Sequence, residues 1–220
     1  MIRDEMPALK FPGRRAMAAC MAASILVISL LPRLLPAQAM MRPVNLAYLV
    51  KRADVIVQGR ITGVVRESLP GYPNIPTVRV TMDVDAMMRG PERATYTFRE
   101  LQMGLRAKGN KTNYRVGQQV VLFLPSPSEL GLSSPIGLEQ GRFHISRDAA
   151  GQAIVANELG NAGLFNGVAQ DARNEGRKLP PNQLRLVSGT SGPVNLSEFV
   201  SLVKNLKSLS RIQDQKPNVD

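Results

Sequence analysis

The chain has 220 residues, with 28 Lys and Arg against 17 Asp and Glu, and its formal net charge is +11. This length fits one domain, or one domain with a tail, and is long enough to bury a core. A single cysteine and a single histidine exclude an intramolecular disulfide, a cysteine-based zinc site and any site that needs two histidines. Composition therefore restricts the chemistry of the chain without naming its function.

Residues 1–39 have the features of a secretory signal peptide. Basic residues come first, an uncharged apolar stretch follows over 16–31, and a small-x-small cleavage pattern ends at Ala39. We predict cleavage after Ala39 and export to the periplasm or the medium. An uncleaved anchor is the alternative, which the short apolar stretch disfavours. The pair Arg14-Arg15 also fits twin-arginine export, although its surroundings favour general secretion.

Removal of this segment changes the charge balance. The segment carries five basic and two acidic residues and the only cysteine, so the remaining 181 residues carry a net charge of +8 and no cysteine. An exported protein without disulfides has to rely on its core, which favours a closed and well-packed fold.

The rest of the sequence predicts a mainly β fold with a helix near each end. Apolar residues alternate with polar ones at period two through most of 54–156, and the last apolar stretch has helical spacing. The predicted elements, in chain order, are a short helix at 45–52, strands at 54–66, 77–88, 94–101 and 118–124, a hairpin formed by 142–147 and 152–156, and a helix at 194–212. Loops are predicted at 69–76 and 125–135, an irregular wrapping segment at 157–193, and a tail at 213–220.

We expect the strands to form a small antiparallel OB-like barrel over 40–156, with the C-terminal helix packed on it. The connections are too short or too irregular for crossover helices, which favours antiparallel pairing. Gly59 and Gly63 lie on the apolar face of their strand, where glycine permits the sharp bends and close approaches that barrels require. The strand at 118–124 is apolar on both faces, so it should be covered on both. A two-sheet sandwich is the alternative architecture.

Four segments together resemble a known group of proteins. They are Ala53-Asp54-Val55-Ile56-Val57-Gln58-Gly59-Arg60-Ile61, Met88-Arg89-Gly90, Tyr114-Arg115-Val116-Gly117-Gln118-Gln119-Val120-Val121-Leu122-Phe123-Leu124 and Gln140-Gly141-Arg142-Phe143. Their order over about residues 46–156 resembles exported bacterial proteins of unassigned function, whose barrel is similar to that of the tissue inhibitors of metalloproteinases. The resemblance implies an OB-like fold. It does not carry over the inhibitors' activity, because their zinc-chelating N-terminal cysteine has no counterpart at the predicted mature terminus, Met40.

One loop is the strongest candidate for a binding site. Residues 102–115 are polar and contain four basic residues but no acidic one, and the basic residues are Arg106, Lys108, Lys111 and Arg115. Such a loop is suited to bind an anionic polymer, such as nucleic acid, an acidic glycan or a lipid surface. The simpler interpretation is a solvated loop that aids solubility. It is favoured because most charged loops have no further role.

Other polar residues favour structural roles. His144 alternates with Phe143 and Ile145, which predicts a histidine on the surface. Asp83 and Asp85 share a strand face with Arg79, and Arg60 could lie opposite, so cross-strand charge pairing is the simplest account.

No catalytic residue, metal ligand or cofactor is predicted. We expect an exported, non-enzymatic binding or structural module of unknown ligand. Its partner could be another exported protein or an anionic polymer bound through the 106–115 loop. A protease-inhibitor-like protein is a further alternative.

Overall fold

The structure is a computed structural model that describes residues 43–102, 113–189 and 191–207. The predicted signal peptide, the residues around its cleavage site and the predicted tail at 213–220 lie outside these ranges, as do residues 208–212 of the predicted C-terminal helix. The described residues are mainly β, as predicted, with four α-helices. The elements are α1 (Leu46–Arg52), β1 (Val55–Leu69), β2 (Tyr72–Arg89), β3 (Thr95–Leu101), β4 (Gln119–Leu124), β5 (Arg142–Arg147), β6 (Ala153–Asn157), α2 (Val168–Asn174), α3 (Pro181–Val187), β7 (Val194–Asn195) and α4 (Leu196–Lys207).

All seven strands belong to one antiparallel sheet in the order β3-β2-β1-β4-β5-β6-β7. The described part of the chain therefore has one open sheet, and the alternative of two sheets is wrong for these residues. The hairpin predicted at 142–156 is confirmed, with β5 and β6 paired from Phe143–Asn157 to Arg147–Ala153. In the same way β3 and β4 match their predicted strands to within one residue.

The first hairpin is longer than predicted. The sequence predicts a loop over 69–76, because it contains three prolines and a glycine, but β2 already starts at Tyr72 and only Pro70 and Gly71 lie between the strands. Proline is tolerated at the free end of a hairpin because its missing N–H removes little from the ladder there. The prediction of a loop is therefore wrong beyond Gly71.

Bulges interrupt the pairing of β1 with β2. The register shifts between Gln58 and Gly59 and again between Ile61 and Gly63. Each shift leaves an extra residue on one strand, which increases the local twist and changes the face to which later residues point. The shift at Gln58 and Gly59 lies between Met82 and Met88, which therefore belong to two different apolar clusters although an unbroken period of two would place them on one face.

Apolar clusters cover both faces of the central strands. Along β4, Val121 and Phe123 belong to the cluster under the helices, whereas Val120, Leu122 and Leu124 belong to the cluster on the opposite face. All five side chains are fully buried. The prediction that this strand is covered on both faces is confirmed.

The helices form a layer over one face of the sheet. Phe199 of α4 packs against Phe123 and Phe143, with ring centroids 6.4 and 5.0 Å away. The start of α4 is capped by Asn195, whose Oδ1 accepts hydrogen bonds from the backbone N–H groups of Ser197 and Glu198.

Two helices stand in the segment predicted to be irregular. The prediction over 157–193 is wrong for α2 and α3, each of which has seven residues. Short helices show little periodicity, and α3 begins with Pro181 at its first helical position. Proline suits that position because the N–H it lacks would have no partner there, although in a sequence it reads as a loop residue.

Candidate functional site

The basic loop lies partly outside the described residues. Arg106, Lys108 and Lys111 fall in 103–112, which the structure does not describe. Arg115, the fourth predicted residue, is exposed, and its backbone N–H donates to Gln118 Oε1 at 3.2 Å. The C-terminal end of the loop therefore turns tightly into β4 and presents a cation to solvent.

A second arginine lies at this loop end. The exposed Arg60 of β1 donates from Nη1 to the carbonyl oxygen of Gly117 at 3.0 Å. In the register Arg60 lies opposite Asp83, as the sequence predicts, but its guanidinium turns to the loop. Arg79 likewise pairs with Glu67 at 3.1 Å. The predicted pairing of these arginines with Asp83 and Asp85 is thus wrong, and the Arg60 guanidinium is held at Gly117 in the same turn as Arg115.

Buried side chains hold the loop at its base. Tyr114 is 2% exposed, and its hydroxyl donates to Glu100 Oε2 at 3.1 Å. Its ring packs edge-on against Phe98, with the centroids 5.6 Å apart. Because Glu100 precedes the undescribed segment and Tyr114 follows it, this hydrogen bond ties the two ends of the loop together.

Arg142 is the most unusual side chain of this region. It is 3% exposed, its guanidinium carbon lies 5.1 Å from the centroid of the Tyr114 ring, and its Nε has no hydrogen-bond partner among the described residues. Its ion pair with Glu158 is long, at 3.6 Å from Nη2 to Oε1. A buried donor without a partner typically reduces stability by about 1–3 kcal/mol, and more when it is charged. The buried Arg142 therefore lowers the stability of the fold.

His144 is not the free surface residue that the sequence predicts. Its side chain is 27% exposed, and its Nε2 lies 2.5 Å from Glu158 Oε1. The Gln118 side-chain amide donates to Nδ1, so both ring nitrogens have partners. The reason is that β5 has two covered faces: Phe143 points under the helices, and His144 and Arg142 point to the opposite side. We call these side chains the Arg142 cluster: Glu100, Tyr114, Gln118, Arg142, His144 and Glu158.

The carboxylates of the cluster respond differently to their surroundings. Burial raises the pKa of Glu100 above its ordinary value, although the Tyr114 hydroxyl and the Arg142 charge act in the other direction. Burial also opposes ionisation of Glu158, but His144 and Arg142 outweigh it and lower the pKa of that carboxyl. Burial, followed by the neighbouring Glu100, raises the pKa of Tyr114. Glu158 is thus the anion that the cluster stabilises best.

The described residues contain neither a metal-binding group nor a membrane-spanning helix. Over 43–102, 113–189 and 191–207, no three His, Cys, Asp or Glu side chains are grouped so that they could hold a metal ion. In the same ranges, no helix combines the length and apolar character needed to span a membrane.

Comparison of the chain with protein-family models, with curated proteins and with solved structures found no match. Function is therefore inferred from the geometry of the loop end and the Arg142 cluster.

Proposed function

We propose that this chain is an exported, non-enzymatic binding protein that binds an acidic polysaccharide. The proposed surface, here called the cationic loop end, consists of Arg60, Arg106, Lys108, Lys111 and Arg115. The observation that carries the proposal is the position of Arg60. Its guanidinium donates to the carbonyl oxygen of Gly117, two residues after the exposed Arg115, and does not pair with Asp83 opposite it in the sheet. Neither arginine has an ion pair with a carboxylate in the described part of the chain.

An acidic glycan fits this surface better than a nucleic acid does. Proteins that bind single strands usually stack bases on exposed aromatic rings. Around the loop, Phe98 and Tyr114 are 5% and 2% exposed, so neither offers a free ring face. Recognition by closely spaced positive charges alone suits a polymer that displays carboxylate or sulfate groups.

We further propose that the sheet curls into an OB-like barrel closed by side chains. Its support is the strand order, in which β1 is flanked by β2 and β4, together with the bulges in β1 and β2. Tyr114 contacts Glu100 of β3 and Arg142 of β5, and so spans the gap between the two strands. Such a barrel would present the cationic loop at one end.

Export is part of the same proposal and has a direct test. If residues 1–39 act as a signal peptide, N-terminal sequencing of the protein recovered outside the cytoplasm should begin at Met40. Recovery of a full-length chain held in a membrane fraction would instead support the uncleaved anchor.

Charge reversal tests the binding surface. A variant with Arg106→Glu, Lys108→Glu, Lys111→Glu and Arg115→Glu should elute from immobilised heparin at much lower salt than the unaltered chain. With fewer cationic contacts, binding releases fewer counterions from the polyanion and is weaker. The matched control reverses four exposed basic residues of the helical layer: Lys51, Arg52, Arg173 and Lys178. If both variants lost heparin retention equally, net charge alone would account for the binding, and the proposal would be overturned. Tighter, loop-dependent retention on single-stranded DNA than on heparin would overturn the choice of a glycan.

A further inference from the structure

We propose that Arg142 and His144 form a subsite for a single carboxylate or sulfate group, and that Glu158 of the same chain occupies it until a ligand displaces it. This inference rests on the proposed function, because it assigns the acidic group of the polysaccharide a place at the base of the cationic loop end. Glu158 is then an internal substitute for the ligand and limits its affinity.

One donor of the buried Arg142 guanidinium has no partner among the described residues. Its side chain is only 3% exposed within the Arg142 cluster, yet its Nε has no hydrogen-bond partner among the described residues. The distance of 3.6 Å from Nη2 to Glu158 Oε1 is too long for a hydrogen bond. A guanidinium can donate two parallel bonds to one carboxylate or sulfate, whereas the ion pair with Glu158 joins Nη2 to one oxygen at long distance.

Glu158 is placed so that it can leave. Its side chain is 43% exposed, and it lies in the turn just after β6 rather than in a strand. Its contacts to Arg142 and His144 both use the same oxygen, Oε1. Displacement of this carboxylate would therefore break one hydrogen bond and one long ion pair, and would leave the strands intact.

The subsite lies beside the loop that carries the proposed function. Arg142 packs against the ring of Tyr114, and the next residue, Arg115, is exposed at the loop end. Gln118, whose backbone N–H donates to the carbonyl oxygen of Arg115 in this turn, donates from its side-chain amide to the ring of His144. An anionic chain bound at Arg115 would thus lie close to a buried cation whose Nε has no partner among the described residues.

The single histidine of the chain makes the proposal directly observable. In a sample prepared without a histidine tag, the imidazole C–H signals in the proton NMR spectrum report on His144 alone. Sodium sulfate and sodium glucuronate, each titrated at fixed pH and constant ionic strength, are the probes. A shift with either probe identifies the acidic group that the subsite accepts.

Glu158→Gln removes the competing charge and keeps an acceptor oxygen for His144. Exposed ion pairs are typically worth a factor of about two to five in affinity, so the His144 signal of this variant should shift at about two- to fivefold lower probe concentration. Glu175→Gln is the matched control, because it makes the same charge change at an exposed residue in the helical layer. Thermal denaturation checks that both variants fold, and Glu158→Ala replaces Glu158→Gln if the latter does not.

The outcomes separate this inference from the proposed function. A shift at lower probe concentration in Glu158→Gln but not in Glu175→Gln supports the subsite. Equal titration midpoints in the two variants would overturn it, as would a His144 signal that neither probe moves. If that signal stays fixed while the loop variant still loses heparin retention, only the subsite is wrong. If the signal moves but the loop variant binds heparin normally, the polysaccharide proposal fails and the anion subsite remains.

Discussion

Replacing Gly59 by alanine would create a steric clash between the added methyl group and the backbone of β2. A Cβ built on Gly59 would lie 2.0 Å from the carbonyl oxygen of Asp83 and 2.8 Å from Cε of Met82. The methionine methyl group can rotate away, but the carbonyl belongs to β2, so the strands would have to separate by about 1 Å. Overpacking of this kind typically reduces stability by about 1–3 kcal/mol, and each weakened ladder hydrogen bond adds about 1 kcal/mol. We expect Gly59→Ala to lower the free energy of unfolding by about 3 kcal/mol.

Gly63→Ala provides the control on the same strand. There the added Cβ would meet Thr81 Cβ at 3.5 Å, an ordinary contact. Alanine also restricts the unfolded chain more than glycine does, so this variant should be as stable as the unaltered chain or more stable by about 0.5 kcal/mol. Urea denaturation and thermal melting measure both effects, and a loss of about 3 kcal/mol corresponds to roughly 10 °C in the melting temperature for a chain of this size. Equal stability of the two alanine variants would refute the claim that Gly59 is required by a close approach of β2.

Two further predictions concern partly buried charged groups. Arg89→Met should lower the free energy of unfolding by about 3 kcal/mol in urea denaturation, because Arg89 Nη1 donates to the carbonyl oxygens of Val50 and Ala53, both at 2.6 Å. Arg93→Met, at an exposed turn, serves as its control, and a similar loss there would contradict the reasoning. Glu100→Gln should change how stability depends on pH. Burial raises the pKa of Glu100 above 4.5, so the folded state holds the carboxyl proton more tightly than the unfolded state does. The free energy of unfolding therefore falls as the pH rises from the unfolded-state pKa to the folded-state pKa of this carboxyl. The variant lacks this fall, so its advantage in urea midpoint should grow from about pH 4 to about pH 7, and a constant difference would be evidence against it.

The strands were predictable because each has a local pattern. Period-two alternation locates β2, β3 and the β5–β6 hairpin, and a capping residue with a helical apolar stripe locates α4. The bulges opposite Gly59 were not predictable, since the apolar alternation from Val78 to Met88 continues in the sequence without a break and the extra residues are fixed only by the partner strand. The seven-residue helices α2 and α3 were missed because two turns of helix are too short for a recognisable period.

The residues of the candidate site also differ in whether the sequence predicts them. A run of basic residues without an acidic one is visible in the sequence, so Arg115 was predicted as a site residue. Arg60 was not, because its hydrogen bond to Gly117 is visible only in the folded chain. For Arg142 and His144 a signal did exist. They alternate with Phe143 and Ile145 on the strand beside β4, and β4 is apolar on both faces. A neighbour of such a strand is itself covered on both faces, which would have placed both side chains inside the fold.

The docking of α4 makes the core depend on residues that are far apart in the chain. Phe199 packs against Phe123 and Phe143, and Arg89 reaches the carbonyl oxygen of Lys207 at 3.4 Å. A chain without α4 would leave Phe123 and Phe143 without this cover even when α1, α2 and α3 are present, and exposed apolar surface of this kind favours aggregation. The core is therefore completed only by the last helix that the structure describes.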